Sequence, residues 1–132
     1  MSKGKPRILV VDDDPFVREI LEFVLQAGDY AVETAEDGAQ AFRKCLSNSG
    51  IDLVVSDMNM PVMSGLDLTR ELRRHSMDVP IILLTGDGEV PAALRAMESG
   101  ANAYLVKDEN IQDTILVALE KALEENRRKK NQ

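Results

Sequence analysis

Five residues able to do chemistry stand where apolar runs stop. ILVV is followed by Asp12 and Asp13, LVVS by Asp57, IILL by Thr85 and AYLV by Lys107. Three carboxylates gathered at one place repel one another, since unit charges about 4 Å apart cost on the order of 4 kcal/mol at an effective dielectric near 20. Lys107 supplies one compensating charge, and a hard divalent cation held by oxygen ligands and waters supplies the rest. Mg2+ suits the position because it commonly takes one or two carboxylates together with phosphate oxygens. Cys45 and His75 are the only residues of their types, so no thiolate or imidazole set favours zinc. A carboxylate beside Mg2+, an ammonium and a hydroxyl is equipped for phosphoryl transfer. Asp57 can attack a phosphoryl group and become an acyl phosphate, the cation and Lys107 can neutralise its equatorial oxygens, and Thr85 can hydrogen-bond it. Singly, each residue reads as ordinary: strand-end acids cap helices, a threonine fills a half-buried site, a lone lysine is solvated. Their joint placement favours the chemical reading.

That placement depends on the elements between them. Arg7 to Val11, with its run ILVV, Leu53 to Val55 directly before Ser56 and Asp57 in the stretch Ile51 to Pro61, and Val79 to Leu84 are apolar without alternation, as expected of strands buried on both faces. Ala31 to Ala35, interrupted by Glu33 and Thr34, suits an edge strand, and Ala103 to Val106 makes a fifth. Asp14 and Pro15 look like the N-cap and first position of a helix running to Ala27 before Gly28, with Val17, Ile20, Leu21, Val24 and Leu25 inward. A second helix opens at Asp37 and Gly38, carries the stripe Gly38, Ala41, Phe42, Cys45 and Leu46, and closes over Ser47 to Gly50. A third runs from the Met63, Ser64, Gly65 loop to about Arg74, with Leu68, Thr69 and Leu72 inward and His75 at its end. Val90, Ala93, Leu94 and Met97 mark a fourth helix ended by Gly100. Ile111, Ile115, Ala118, Leu119 and Ala122 mark a fifth, to about Asn126. Strict alternation of five strands and five helices implies a parallel α/β sheet with right-handed crossovers and helices on both faces. Asp12, Asp13, Asp57, Thr85 and Lys107 then share the carboxyl edge, where ligands bind in such sheets.

At 132 residues the chain is the size of one domain, with a core over about 7–124 and a charged tail or linker over 125–132. A net charge of −7 argues against binding nucleic acid directly, because that affinity comes from Lys and Arg on phosphates. No apolar run reaches membrane-spanning length, and the first one stops at aspartates, so neither a membrane segment nor a signal peptide is expected and the protein is placed in the cytoplasm. Cys45 reads as a core cysteine and His75 as a solvated or capping histidine.

The DD pair after ILVV, the SDMNMP segment continuing into MSG, the LLTG segment and the AYLVK segment occur in an order and spacing that resemble the receiver domain of two-component response regulators. The single-domain chemotaxis type is the nearest comparison. The resemblance implies a flavodoxin-like, doubly wound five-stranded parallel sheet of order 2-1-3-4-5 with five helices. It makes Asp57 the phosphoacceptor, with Mg2+ held by the Asp13 and Asp57 carboxylates, by Asp12 through a water and by the Asn59 backbone carbonyl. Lys107 pairs with the phosphoryl group, Thr85 moves toward it, and Tyr104 changes rotamer on the surface made by the fourth helix, fifth strand and fifth helix. A sensor histidine kinase or phosphotransfer protein is the implied donor, and an output domain or effector protein the recipient.

Asp108 departs from the proline common after this lysine in receivers. A non-proline cis bond costs roughly 2.5 to 4 kcal/mol, so a trans Lys107–Asp108 bond and a shifted following loop are expected, which bears on where Lys107 lies. Gly86 leaves the site open to small molecules and water, while Asn59 and Asp87 flank the approach to the phosphoryl group. Two rival readings stay open: a receiver-like adaptor acting without phosphorylation, and an aspartyl-phosphate phosphatase of the haloacid-dehalogenase type. The second fits less well, because its nucleophile ends the first strand and carries another Asp two places on, where this chain has Asp57 ending the third strand and Asn59 after it.

Overall fold

The computed structural model describes residues 4–47, 50–86 and 90–131. Along the chain run β1 (Arg7–Val11), α1 (Pro15–Ala27), β2 (Ala31–Ala35), α2 (Gly38–Ser47), β3 (Leu53–Asp57), α3 (Gly65–Arg74), β4 (Ile81–Thr85), α4 (Val90–Glu98), β5 (Ala103–Val106) and α5 (Ile111–Lys130). The strands form one parallel sheet in the order β2-β1-β3-β4-β5, as the resemblance implied. Successive side chains of a strand point to opposite faces, so each central strand feeds two cores. Leu9, Val11, Val54, Ile81 and Leu83 pack beneath α2, α3 and α4, and Ile8, Val10, Leu53, Val55, Ile82 and Leu84 pack beneath α1 and α5. The three middle strands are therefore apolar along most of their length, with the buried Ser56 before Asp57 the one polar residue inside a run that leads to the site.

Local chemistry sets the helix ends. The Asp14 carboxylate accepts from the Phe16 N–H at 2.9 Å ahead of Pro15, and the Ser64 hydroxyl accepts from the Asp67 N–H at 3.1 Å. Four boundaries or faces differ from the sequence reading. β4 begins at Ile81, because Pro80 has no N–H for the ladder, although its carbonyl accepts from Val54 N–H at 2.9 Å. α5 runs on to Lys130, helped by the Arg128–Glu124 pair at 3.0 Å and four basic residues at the negative end of its dipole.

The third difference is the rotation of α4. Its buried residues are Ala92 and Ala96, packed with Ile81, Leu83 and Ala101, while Val90, Leu94 and Met97 are exposed. Two stripes of helical period coexist there, and the smaller side chains face the sheet. Leu46 likewise lies outside the core, a turn beyond the half-buried Phe42. The expected second-helix closure at 48 and 49, and Asp87 with Gly88, fall outside the described residues.

The amino edge of the sheet is fastened by one side chain. Arg73 donates to the carbonyls of Met77, Val79 and Gly100 and to the Asn102 side chain, at 2.8, 2.9, 3.1 and 3.0 Å. Asn102 Oδ1 also accepts from Ile81 N–H at 2.8 Å. Gly100, at φ +108°, passes so close to Arg73 that a Cβ would crowd its side chain.

Beyond β3 the chain makes a tight reversal in which Met63 N–H donates to the Pro61 carbonyl at 2.8 Å and Val62 takes φ +71°. A β-branched residue is strained in that region, at a cost of order 1–3 kcal/mol. Val62 is 85% exposed, so packing does not return that cost. Val62→Gly is expected to raise unfolding stability by about 1 kcal/mol, the strain relief less the added freedom of the unfolded chain. An unchanged or lower urea midpoint would show that Val62 is unstrained.

Candidate functional site

Parallel pairing brings the strand ends together. Val11 lies opposite Ser56, Asp57 opposite Leu84 and Thr85 opposite Val106, so Asp12, Asp57, Thr85 and Lys107 end four strands at one edge. Asp12 is buried and held twice: Oδ1 accepts from Asp14 N–H at 2.9 Å, and Oδ2 accepts from the Lys107 ammonium at 2.9 Å. The same ammonium lies 3.2 Å from Asp57 Oδ1. Asp57 is 8% exposed, and its carboxylate also accepts from the Asn59 backbone N–H. Carboxylate oxygens of Asp12, Asp13 and Asp57 lie within 4.8 Å of one another.

The loop after Asp57 is fixed by close backbone approach. Gly65 N–H donates to the Met58 carbonyl at 3.1 Å, and a Cβ on Gly65 would collide with the Asp57 carbonyl. Only glycine lets the start of α3 sit this near the site. The lysine is fixed from the other side. Its N–H donates to the Thr85 carbonyl at 2.7 Å, the Lys107–Asp108 bond is trans as expected, and Asp108 organises the turn by accepting from the N–H groups of Asn110 and Ile111 at 2.9 and 3.1 Å. The missing proline therefore does not displace the ammonium from the acids.

Electrostatics mark the cluster as under-neutralised. Burial pushes the Asp57 carboxyl above its usual range, the nearby Asp12 charge adds to this, and Lys107 and the Asn59 N–H offset them only in part. Burial works against the Lys107 ammonium as well, yet its bonds to Asp12 and the charges of Asp57 and Asp12 outweigh that and hold it above the ordinary lysine value. Among the described residues Lys107 is the one cation paired with these carboxylates, which leaves three acids short of positive charge. An oxygen-only donor set of this size and charge fits a hard divalent ion.

Thr85 is buried at the end of β4, and Tyr104 is half-buried on β5, packed toward the core beneath α2, α3 and α4 rather than on the acids. Asn59 is exposed beside Asp57. His75 caps α3, with Nδ1 2.9 Å from the Glu71 carbonyl and its ring edge-on to Phe42 at 5.0 Å. Cys45 is buried, its thiol pushed up to about 11, first by burial and then by the charge of Glu33, so it is an unreactive core residue.

Arg18 belongs to this region and went unnoticed in the sequence. Its guanidinium donates to the Asp12 carbonyl at 2.6 Å and lies 3.9 Å from Glu36 Oε1. The available signal was a cation four positions into a helix, near the positive end of the dipole, directly after three aspartates.

The raised Asp57 value gives a signed expectation. Without metal, the charged carboxylate is disfavoured in the fold, so its contribution to stability falls as pH rises from the ordinary aspartate value of 3.8 through the raised folded value. In chelator-treated buffer at neutral pH, Asp57→Asn is expected to unfold at a higher urea concentration than wild type. The difference should vanish below the ordinary aspartate value, where the wild-type group is protonated in both states. A less stable metal-free variant at neutral pH would contradict the charge imbalance.

The sequence model of the response regulator receiver domain matches residues 8–120. Among curated proteins, the chain is 36% identical over 126 residues to the transcriptional regulatory protein GlrR of Escherichia coli, covering 96% of this chain and 28% of GlrR. It is 39% identical over 103 residues to the transcriptional regulatory protein FixJ of Bradyrhizobium diazoefficiens, covering 78% of this chain and 50% of FixJ. The chain thus spans half or less of the length of these two relatives. Among solved structures, the response regulator TrrA of Thermotoga maritima in complex with Mg2+-BeF superimposes with a TM-score of 0.79 at 39% identity, covering 89% of this chain and 98% of that one. The chemotaxis protein CheY4 of Vibrio cholerae gives a TM-score of 0.82 at 33% identity, covering 90% of this chain and 99% of that one. With its strand order, its acidic edge and these matches in agreement, the chain belongs to the response regulator receiver domain family and is a phosphoaccepting signalling domain.

Proposed function

We propose that Asp57 is the phosphoacceptor and that the domain takes its phosphoryl group from a sensor histidine kinase or phosphotransfer protein. The observation that carries this reading is the sharing of one ammonium by Asp57 and Asp12, at 3.2 and 2.9 Å, in a site whose acids outnumber it. An Asp57 oxygen attacks the donor phosphorus, the P–N bond to the donor imidazole breaks with its electron pair going to nitrogen, and an acyl phosphate forms on the carboxylate. Lys107 follows the charge onto the transferred group. Asp12, Asp13 and Asp57, with the Asn59 carbonyl, are the residues that would hold Mg2+, which when bound neutralises phosphoryl oxygens. The similar TrrA receiver, described with Mg2+-BeF, supports that choice of ion.

The acyl phosphate adds about −1.5 to −2 charges at the edge where Thr85 ends β4. In this reading Thr85 moves toward the new oxygens and Tyr104 changes rotamer, so that the surface of α4, β5 and α5 presents a different face to an output domain or effector protein. The chain itself forms a single domain, catalyses its own phosphotransfer and dephosphorylation, and works in the cytoplasm. Among the described residues no helix is long and apolar enough to cross a membrane. The adaptor reading drew on the missing proline after Lys107, and the ammonium lying against Asp57 favours phosphorylation over it.

Incubation with acetyl phosphate and Mg2+, followed by intact-mass measurement, is expected to add one phosphoryl group to wild type and none to Asp57→Asn. Labelling of the variant at similar stoichiometry would remove Asp57 from the role. Lys107→Ala is expected to slow labelling about 100-fold, as for loss of a charge-stabilising group, with Asp57 remaining the labelled residue.

A further inference from the structure

We infer that Arg18 is a positioning residue for the acidic end of β1, and through it for divalent-cation binding by Asp12 and Asp13; this rests on the cation site proposed above. Asp12 lies one residue beyond β1, where the ladder no longer assigns its carbonyl a strand partner. Its N–H donates to the Ala35 carbonyl at 3.2 Å, and its carbonyl accepts from Arg18 at 2.6 Å. The peptide unit leaving Asp12 is thus gripped by a charge-assisted bond, and that unit sets the direction in which Asp13 departs. Asp13 is exposed, so backbone direction rather than packing decides where its carboxylate lies. Arg18 itself is 17% exposed and is steadied by Glu36, immediately after β2, at 3.9 Å. A guanidinium near the positive end of α1 is disfavoured by the helix dipole, and the bond to Asp12 is what it gains there.

The sign of the effect separates this role from a merely electrostatic one. A positive charge near a cation site repels the cation, so removing it would tighten binding; removing a positioning contact loosens binding. Isothermal titration of the full chain with MgCl2 is expected to show about tenfold weaker affinity for Arg18→Gln, in the range typical of residues that orient metal ligands. Arg18→Lys keeps the charge but loses the forked reach between Asp12 and Glu36, and is expected to fall between wild type and Arg18→Gln. Saturating Mg2+ is expected to restore the wild-type labelling rate in both variants, which a general loss of structure would not allow. Equal or tighter Mg2+ binding by Arg18→Gln overturns the inference, and should that variant not fold, equal or tighter binding by Arg18→Lys does the same. Absence of Mg2+ binding by wild type overturns the cation site itself, a result separate from either variant outcome.

Discussion

One ammonium shared by two buried carboxylates is the interaction around which the site is built. Neighbouring strands lie about 4.8 Å apart, so charged residues ending adjacent β1 and β3 are crowded by the sheet whatever their side chains prefer. Lys107 ends β5, two strands from β3 and three from β1, and only a long, flexible stem reaches across β4 to both acids. The backbone therefore creates the repulsion, and one side chain answers it incompletely. The remaining deficit favours a divalent cation at this edge, and in the proposed reading that cation together with Lys107 would offset the negative charge of an incoming phosphoryl group.

Much of this was readable from residue order alone because it follows from strand ends. Non-alternating apolar runs located the central strands, and the polar residue closing each run located Asp12, Asp57, Thr85 and Lys107. Asp14 and Pro15 announced the start of α1 for the same local reason, whereas Ser64, read as loop, proves to cap α3. What escaped was long-range or rotational. The face that α4 presents depends on which of two stripes fits the sheet, and Ala92 with Ala96 allow a closer approach than the larger set at Val90, Leu94 and Met97. Arg18 and Arg73 act through backbone carbonyls distant in sequence or in turns, and no spacing rule points from a guanidinium to such an acceptor.

The turn after Lys107 shows how one local solution can replace another. A trans peptide followed by Asp108, whose carboxylate and carbonyl both accept from the next turn, delivers the lysine to the acids without proline. Position of the functional group is what the site requires, and more than one backbone path satisfies it.

The Arg73 contacts lie at the opposite end of the sheet from the acids, and they join the end of α3, the approach to β4 and the turn between α4 and β5 through one planar group. The two ends of the sheet are thus held by different means: the amino end by one guanidinium that ties three connections together, the carboxyl end by one ammonium between two acids. In the proposed reading, charge added at the carboxyl rim acts on elements whose far ends that guanidinium ties down.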